Sequence, residues 1–239
     1  MKITQLDKNR LTLISGPCVL ESVEHAIFMA KEIKSRCDDL DIQHIFKASW
    51  DKANRTALDH YRGYPLDEAI DMFREIKNRV DVPILTDFHE SWQAKKLKDV
   101  VDVLQIPAFL CRQTDMLVEA AKTGLPVNVK KGQFISAEDT ERVVGKVGDA
   151  DVWLTERGNI FGYGNYIVDM RNLVIMKRYA PVIFDATHSV QQGAKGGSSG
   201  SQKEFIEPLA KAAIAVGVDG LFMEVHDNPD KALSDGTSS

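Results

Sequence analysis

The sequence predicts an α/β fold, a (β/α)8 TIM barrel in which eight parallel strands close into a ring inside a layer of helices. Three observations carry this expectation. Short strand-like runs alternate with helical patterns almost to the end of the 239 residues. Runs such as "DVPILTD" and "APVIFDA" are apolar without alternation, as when both faces of a parallel sheet are covered. Eight such runs with seven helical patterns between them favour a closed barrel over an open doubly wound sheet.

The first strand is read over 11–15 and is followed by a helix over 22–37. The second, over 42–48, runs into the basic stretch "FKASWDKANRT". In the next helix, over 66–79, Leu66, Ala69, Ile70, Phe73 and Ile76 recur at three and four residues, the period of an amphipathic helix. Strands over 82–87 and 100–106 precede helices over 91–99 and 114–122. Strands over 126–130 and 151–156 precede helices over 137–147 and 169–179. After the seventh strand, over 181–185, comes the low-complexity segment "GAKGGSSGSQ" (193–202), read as a mobile loop ahead of a helix over 203–216. The eighth strand is read over 220–225, and the chain ends at "ALSDGTSS" without an eighth helix. The expectation is one barrel domain, 1–239, lacking its last helix.

Composition excludes several classes. With 44% hydrophobic and 27% charged residues the usage is that of an ordinary globular chain. No run approaches the ~18 apolar residues that span a bilayer, and "MKITQLDKNR" lacks a signal-peptide core, so the expected location is cytoplasmic. Three cysteines form an odd, sparse set that does not read as a disulfide framework. A net charge of −5 argues against a general nucleic-acid binder.

Chemistry on such a barrel belongs at the C-terminal ends of its strands. Taken in order, that rim carries Cys18, then Lys47, Lys52, Asn54 and Arg55, then Asp87 and His89, then Gln105 and Arg112. Lys130 and Lys131 end the fifth strand, Arg157 the sixth and His188 the seventh, while Glu224, His226 and Asp235 follow the eighth. At least five cations stand there with few acids besides Asp51 and Asp87, a donor set suited to phosphate. No Walker loop or GxGxxG fingerprint is present, so a small phosphorylated metabolite fits better than a nucleotide. Cys18, His188, Glu224 and Asp235 are remote in sequence, yet strands seven, eight and one are neighbours in a closed barrel. Thiolate, imidazole and carboxylates together suit a borderline divalent ion such as Fe(II), Zn(II) or Mn(II). Cys37 and Cys111 read as packing thiols, and His25, His44 and His60 as surface or internally satisfied histidines.

The motifs "GPCVLES", "FKASWDKANRT…YRG", "ILTDFHE", "LQIPAFLCRQTD", "VNVKKGQF", "TERGNIFGYGN", "VIFDATHSVQ" and "LFMEVHDNPDKALSDG" resemble, in order and spacing, the 3-deoxy-D-manno-octulosonate 8-phosphate synthases. The resemblance implies condensation of phosphoenolpyruvate with D-arabinose 5-phosphate and release of phosphate, a step towards the lipopolysaccharide inner core. The neighbouring 3-deoxy-D-arabino-heptulosonate 7-phosphate synthases use erythrose 4-phosphate and carry a KPRT-type motif where this chain has "KANRT", so Asn54 bears on the choice of aldose. Metal-independent members have asparagine at the position of Cys18. The resemblance therefore implies a metal-dependent enzyme with Cys18, His188, Glu224 and Asp235 as ligands.

It further implies that Lys47, Lys52, Gln105, Lys130 and Arg157 hold phosphoenolpyruvate, and that Asn54, Arg55 and Thr56 take the arabinose phosphate. Thr56 stands where many members have serine. Asp87 and His89 fall near the sugar hydroxyls, and Arg112 reaches a neighbouring subunit's site in a homotetramer. The candidate catalytic set is Lys52, Asn54, Asp87, His89 and His188, with the loop at 193–200 as a lid. Two other classes stay open: a phosphosugar-binding barrel without catalysis, and an aldolase acting through a Schiff-base lysine.

Overall fold

The computed structural model describes residues 5–55, 57–160, 164–192 and 200–234. Eight parallel strands form a closed barrel in sequence order: β1 (Thr12–Gly16), β2 (Gln43–Lys47), β3 (Ile84–Asp87), β4 (Val103–Ile106), β5 (Val127–Lys130), β6 (Val152–Glu156), β7 (Val182–Asp185) and β8 (Gly220–Glu224). Seven α-helices cover it: α1 (Val23–Asp39), α2 (Leu66–Arg79), α3 (Ser91–Leu97), α4 (Thr114–Ala121), α5 (Thr140–Val147), α6 (Arg171–Met176) and α7 (Ile206–Val216). The helices are mostly shorter than their sequence patterns. The expected span at 137–147 begins with turns, and α6 covers only the centre of 169–179. Among the described residues the segment after β8 forms a short 3-10 turn, Pro229–Lys231. The loop expected as a lid falls on 193–199, outside the described residues.

Two hydrophobic clusters follow from two-sided burial of parallel strands. The larger lies between sheet and helices, where Phe73, Phe46, Phe88 and Leu104 pack. The smaller fills the barrel with Ile14, Ile45, Leu85, Val103, Trp153, Ile183 and Phe222, and Leu6 joins it from the N-terminal segment. These interior positions have a consequence for function. Side chains two apart on a strand share a face. The residues two beyond those interior positions are therefore the upper layer of the same core: Gly16, Lys47, Asp87, Gln105, Thr155, Asp185 and Glu224. On β5, Asn128 takes the lower position, receiving Gln105 Nε2 at 2.7 Å and donating to Thr155 Oγ1 at 2.8 Å; Lys130 stands above it.

Gly16 shows why one member of that layer has no side chain. A Cβ there would lie 2.1 Å from the Lys47 carbonyl oxygen, so β1 and β2 could not pair as they do. Asp102 supports the other end of the barrel, accepting the Ile84 amide at 2.8 Å and pairing with Lys77 at 2.9 Å.

His44 is one of the histidines read as surface or satisfied, and it proves to be buried, with Nε2 3.2 Å from the Ser15 carbonyl. Burial pushes its pKa down from 6.5 to about 4, against the smaller effect of that hydrogen bond. The unfolded chain therefore takes up a proton here before the folded one. Stability is untouched above about pH 6.5 and falls as pH drops towards 4. The loss should reach on the order of 3 kcal/mol. Urea melts across that window should show this slope in the native chain and a shallower one in His44→Gln; equal slopes would clear His44 of the effect.

Candidate active site

The upper layer of the barrel opens into a cavity of about 420 Å3 at the C-terminal ends of the strands. Lys47, Lys52, Asn54, Arg55, Asp87, His89, Gln105, Lys130, Arg157, His188 and Glu224, drawn from seven of the eight strand ends, all line it. The volume is in the range that encloses small metabolites.

Its floor is Phe222, whose ring centroid lies 3.6 Å from Lys130 Nζ and 5.5 Å from Lys47 Nζ. Two lysines on an apolar floor need anionic partners, and the structure supplies buried ones. Lys130 Nζ donates to Asp185 Oδ2 at 2.6 Å, and Lys47 Nζ donates to Glu224 Oε1 at 2.8 Å. Lys52 Nζ stands 3.8 Å from the same Glu224 oxygen. Burial alone would raise both carboxyls. It is outweighed at Asp185 by His188 and Lys130, and at Glu224 by Lys47, Lys52, His188 and Lys130, so both stay well below the usual carboxylate range. Asp87 is held low in the same way, by His89 first and then Lys47 and Lys52. Lys130 is also shifted down, which here disfavours its charged form. Desolvation lowers its pKa, with Asp185 and Glu224 opposing.

This corrects the reading of the rim as poor in acids. Asp51 is largely covered and spent on exposed Arg62 outside the cavity, whereas Asp185, absent from the sequence-derived set, is fully buried beside Lys130 and His188. The signal for it was its place, the last residue of an apolar strand and three before His188. Asp185 also orients that histidine, accepting its backbone N–H at 2.9 Å and lying 2.8 Å from Nδ1. An ionised carboxylate can only accept, so Nδ1 carries a proton and Nε2 is the nitrogen turned away from Asp185. Nε2 lies 3.9 Å from Glu224 Oε2, a buried oxygen without a hydrogen-bond partner among the described residues.

Cys18 is buried beside the cavity rather than in its lining. Its Sγ lies 2.9 Å from Ser234 Oγ, and its carbonyl accepts from Lys47 Nζ at 3.1 Å. Cys18, His188 and Glu224 thus bring sulfur, nitrogen and oxygen donors to one corner, a set whose chemistry fits a borderline divalent ion. They do not close to within 4.8 Å of one another; among the described residues only Glu21, His25 and His226 do. Asp235, the fourth expected ligand, and Thr56 lie outside the described residues.

Arg157 is fixed on two sides and open on a third. Nη2 donates to Gln191 Oε1 at 3.0 Å, the guanidinium sits 4.4 Å over the Tyr166 ring, and buried Nη1 has no partner among the described residues. Lys131 faces away from the cavity, fully buried against Asn159 Oδ1 at 2.9 Å and Glu156 at 3.6 Å. Arg112 is exposed outside the cavity of its own chain. The lining also includes residues the sequence does not single out, among them Ser49, Tyr61, Gln133 and Tyr166, and His60, which is not the bystander it was read as.

The chain matches the profile of the DAHP synthetase I family over residues 2–239. Curated relatives named 2-dehydro-3-deoxyphosphooctonate aldolase share about half of its residues. The one from Cyanothece sp. is 54% identical over 96% of this chain and 86% of its own. That from Koribacter versatilis is 54% identical over 100% and 88%, and that from Helicobacter hepaticus 53% identical over 95% and 89%. A cation-lined cavity at the barrel mouth, motif order and near full-length similarity agree: the chain belongs to the DAHP synthetase I family, among its 2-dehydro-3-deoxyphosphooctonate aldolases.

Proposed function

We propose that the cavity joins phosphoenolpyruvate to D-arabinose 5-phosphate and water, giving 3-deoxy-D-manno-octulosonate 8-phosphate and inorganic phosphate. The observation that carries this is one cavity lined by Lys47, Lys52, Arg55, Lys130 and Arg157 in a chain whose relatives bear the corresponding name. Both substrates are polyanions that repel each other in water. Fixed cations in a low-dielectric cleft offset that repulsion and hold C3 of the enol beside the aldehyde carbon. The π electrons of the enol phosphate form the new bond from C3 to the aldehyde carbon, whose oxygen takes a proton; water adds at the C2 left cationic and loses a proton, and the tetrahedral carbon expels phosphate as the ketone forms. Lys47, Lys52, Gln105, Lys130 and Arg157 are assigned to phosphoenolpyruvate, and Asn54, Arg55 and Thr56 to the sugar phosphate. Asp87, with Oδ1 free of hydrogen-bond partners among the described residues and Oδ2 3.3 Å from His89 Nε2, is read as accepting from a sugar hydroxyl.

The metal-dependent reading rests on donor chemistry. Cys18, His188 and Glu224, with Asp235, would hold a divalent ion, Fe2+, Zn2+ or Mn2+, which when bound supplies Lewis acidity at the site. Asp185 favours this by accepting from His188 Nδ1 and leaving Nε2 as the nitrogen that would meet the ion, the arrangement common behind metal-bound imidazoles. Arg112, exposed and outside its own cavity, is read as reaching a neighbour's site in a homotetramer.

One observation favours a second reading. Lys130 is buried and its ammonium is destabilised, as a Schiff-base lysine requires. Its contact with ionised Asp185 keeps the proton in place, which is why the phosphate-binding role is preferred.

Borohydride with a 2-keto acid should leave Lys130 unmodified; a reduced adduct on it would establish the Schiff-base route. In a phosphate-release assay with phosphoenolpyruvate, arabinose 5-phosphate should exceed erythrose 4-phosphate in kcat/KM by about tenfold or more. The reverse order would overturn the aldose assignment to Asn54. In the same assay excess chelator should abolish turnover and added Fe2+, Zn2+ or Mn2+ restore it, whereas full activity in chelator would reject the ligand set.

A further inference from the structure

A second cluster of donor atoms lies outside the cavity, where the loop after β1, the first turn of α1 and the segment after β8 meet. Glu21, His25 and His226 each place one ligand-type atom within 4.8 Å of the other two, and none of them lines the cavity. All three are largely covered, with side-chain exposures of 16%, 16% and 6%, while neighbouring Asp227 is open at 45%, so the cluster is accessible from solvent on one side.

The hydrogen bonds around His25 set it up as a ligand, and those around His226 hold its ring beside it. His25 Nε2 lies 2.9 Å from Asp227 Oδ1, and a carboxylate accepts only, so the ring proton is on Nε2. His25 Nδ1 then carries a bare lone pair, and it is buried without a hydrogen-bond partner among the described residues. A carboxylate behind one imidazole nitrogen with the other left bare is the arrangement that orients metal-ligating histidines. His226 Nδ1 accepts the Asn228 amide at 3.0 Å and lies 3.2 Å from Asp227 Oδ1, while Nε2 faces Glu21 Oε1 at 3.2 Å. The two rings lie 4.7 Å apart, tilted by 39°.

We propose that Glu21, His25 and His226 form a second divalent-cation site of the zinc class, with Asp227 as the outer carboxylate. On binding, the ion displaces the proton between His226 Nε2 and Glu21; the ring keeps its one proton on Nδ1, where Asp227 Oδ1 at 3.2 Å accepts it in place of the Asn228 amide contact. Two imidazoles and a carboxylate leave one tetrahedral position for water, on the side open to solvent. Glu21 and Asp227 together balance the charge of the ion. Its effect is structural. Glu21 Oε1 also accepts the Leu233 amide at 2.8 Å, and Leu233 and Ser234 line the cavity, so the ion fastens the segment after β8 to the loop after β1. The site is independent of any ion at Cys18, His188 and Glu224.

Equilibrium dialysis of the chelator-stripped chain against Zn2+, with metal counted per chain, tests this. Two ions per native chain are expected. Cys18→Ala/His188→Ala should keep one, and adding His25→Gln or, separately, His226→Gln to it should remove that one. Co2+ spectra separate the sites, because only the cavity ion gives thiolate-to-metal charge transfer. One ion per native chain carrying that band, and none in Cys18→Ala/His188→Ala, would overturn the second site and leave the cavity assignment standing. One ion without the band, lost in His25→Gln, would do the reverse. Zn2+ should also raise the melting temperature of Cys18→Ala/His188→Ala but not that of the same chain with His25→Gln added; an equal rise in the two would count against the site.

Discussion

The pairing of β8 with β1 is the constraint on which the rest of this molecule depends. It runs from Thr12↔Gly220 to Gly16↔Glu224 and turns a sheet with two edges into a ring with none. Its register sets Glu224 beside Gly16, two residues from Cys18, and β7 pairs with β8 on the other side, which brings Asp185 and His188 to the same place. Close approach is needed there. A side chain at Gly16 would strike the Lys47 carbonyl, and one at Gly220 would come within 2.6 Å of the Thr12 carbonyl oxygen. Gly220 therefore serves closure itself and Gly16 the neighbouring β1–β2 pairing, and closure assembles the site.

Within the ring, chemistry and core share one face. Trp153, Ile183 and Phe222 fill the lower layer, and the polar layer rests directly on them. The cavity lysines are therefore desolvated, which makes them strong electrostatic partners and also costly when unpaired. Asp185 and Glu224 resolve this by holding Lys130 and Lys47 as cations in fixed positions. Lys52, Arg55 and Arg157 line the cavity beside these two pairs. Buried pairing and ligand binding are therefore parts of one network, in which Glu224 accepts from Lys47 through one oxygen and turns the other towards His188.

Much of this was legible in the chain. The strand order, the barrel and the gathering of Lys47, Asp87, Gln105, Lys130, Arg157 and His188 at one rim all follow from apolar runs that end in polar residues. Helix ends were less legible. Turns at 137–139 and 177–179 carry the same apolar spacing as helix, and only tertiary packing decides where regular hydrogen bonding stops. Lys131 shows the limit of reading by position. It is adjacent to Lys130 and equally basic, yet the period of two sends it to the opposite face, where Glu156 and Asn159 hold it. His60 shows the converse: no local pattern marks it, because it reaches the cavity through the fold of the loop after β2.

By itself the sequence determined the fold class, the cationic character of the rim and the family, since these depend on periodicity, on charge at strand ends and on motifs that survive without coordinates. Which carboxylate answers which lysine was decided only by tertiary structure. Asp185 and Lys130 are 55 residues apart, and Glu224 and Lys47 are 177 apart. Glu21 and His226, separated by 205 residues, meet for the same reason. Closure of the barrel fixes these distances, and no local pattern encodes a partner on a distant strand.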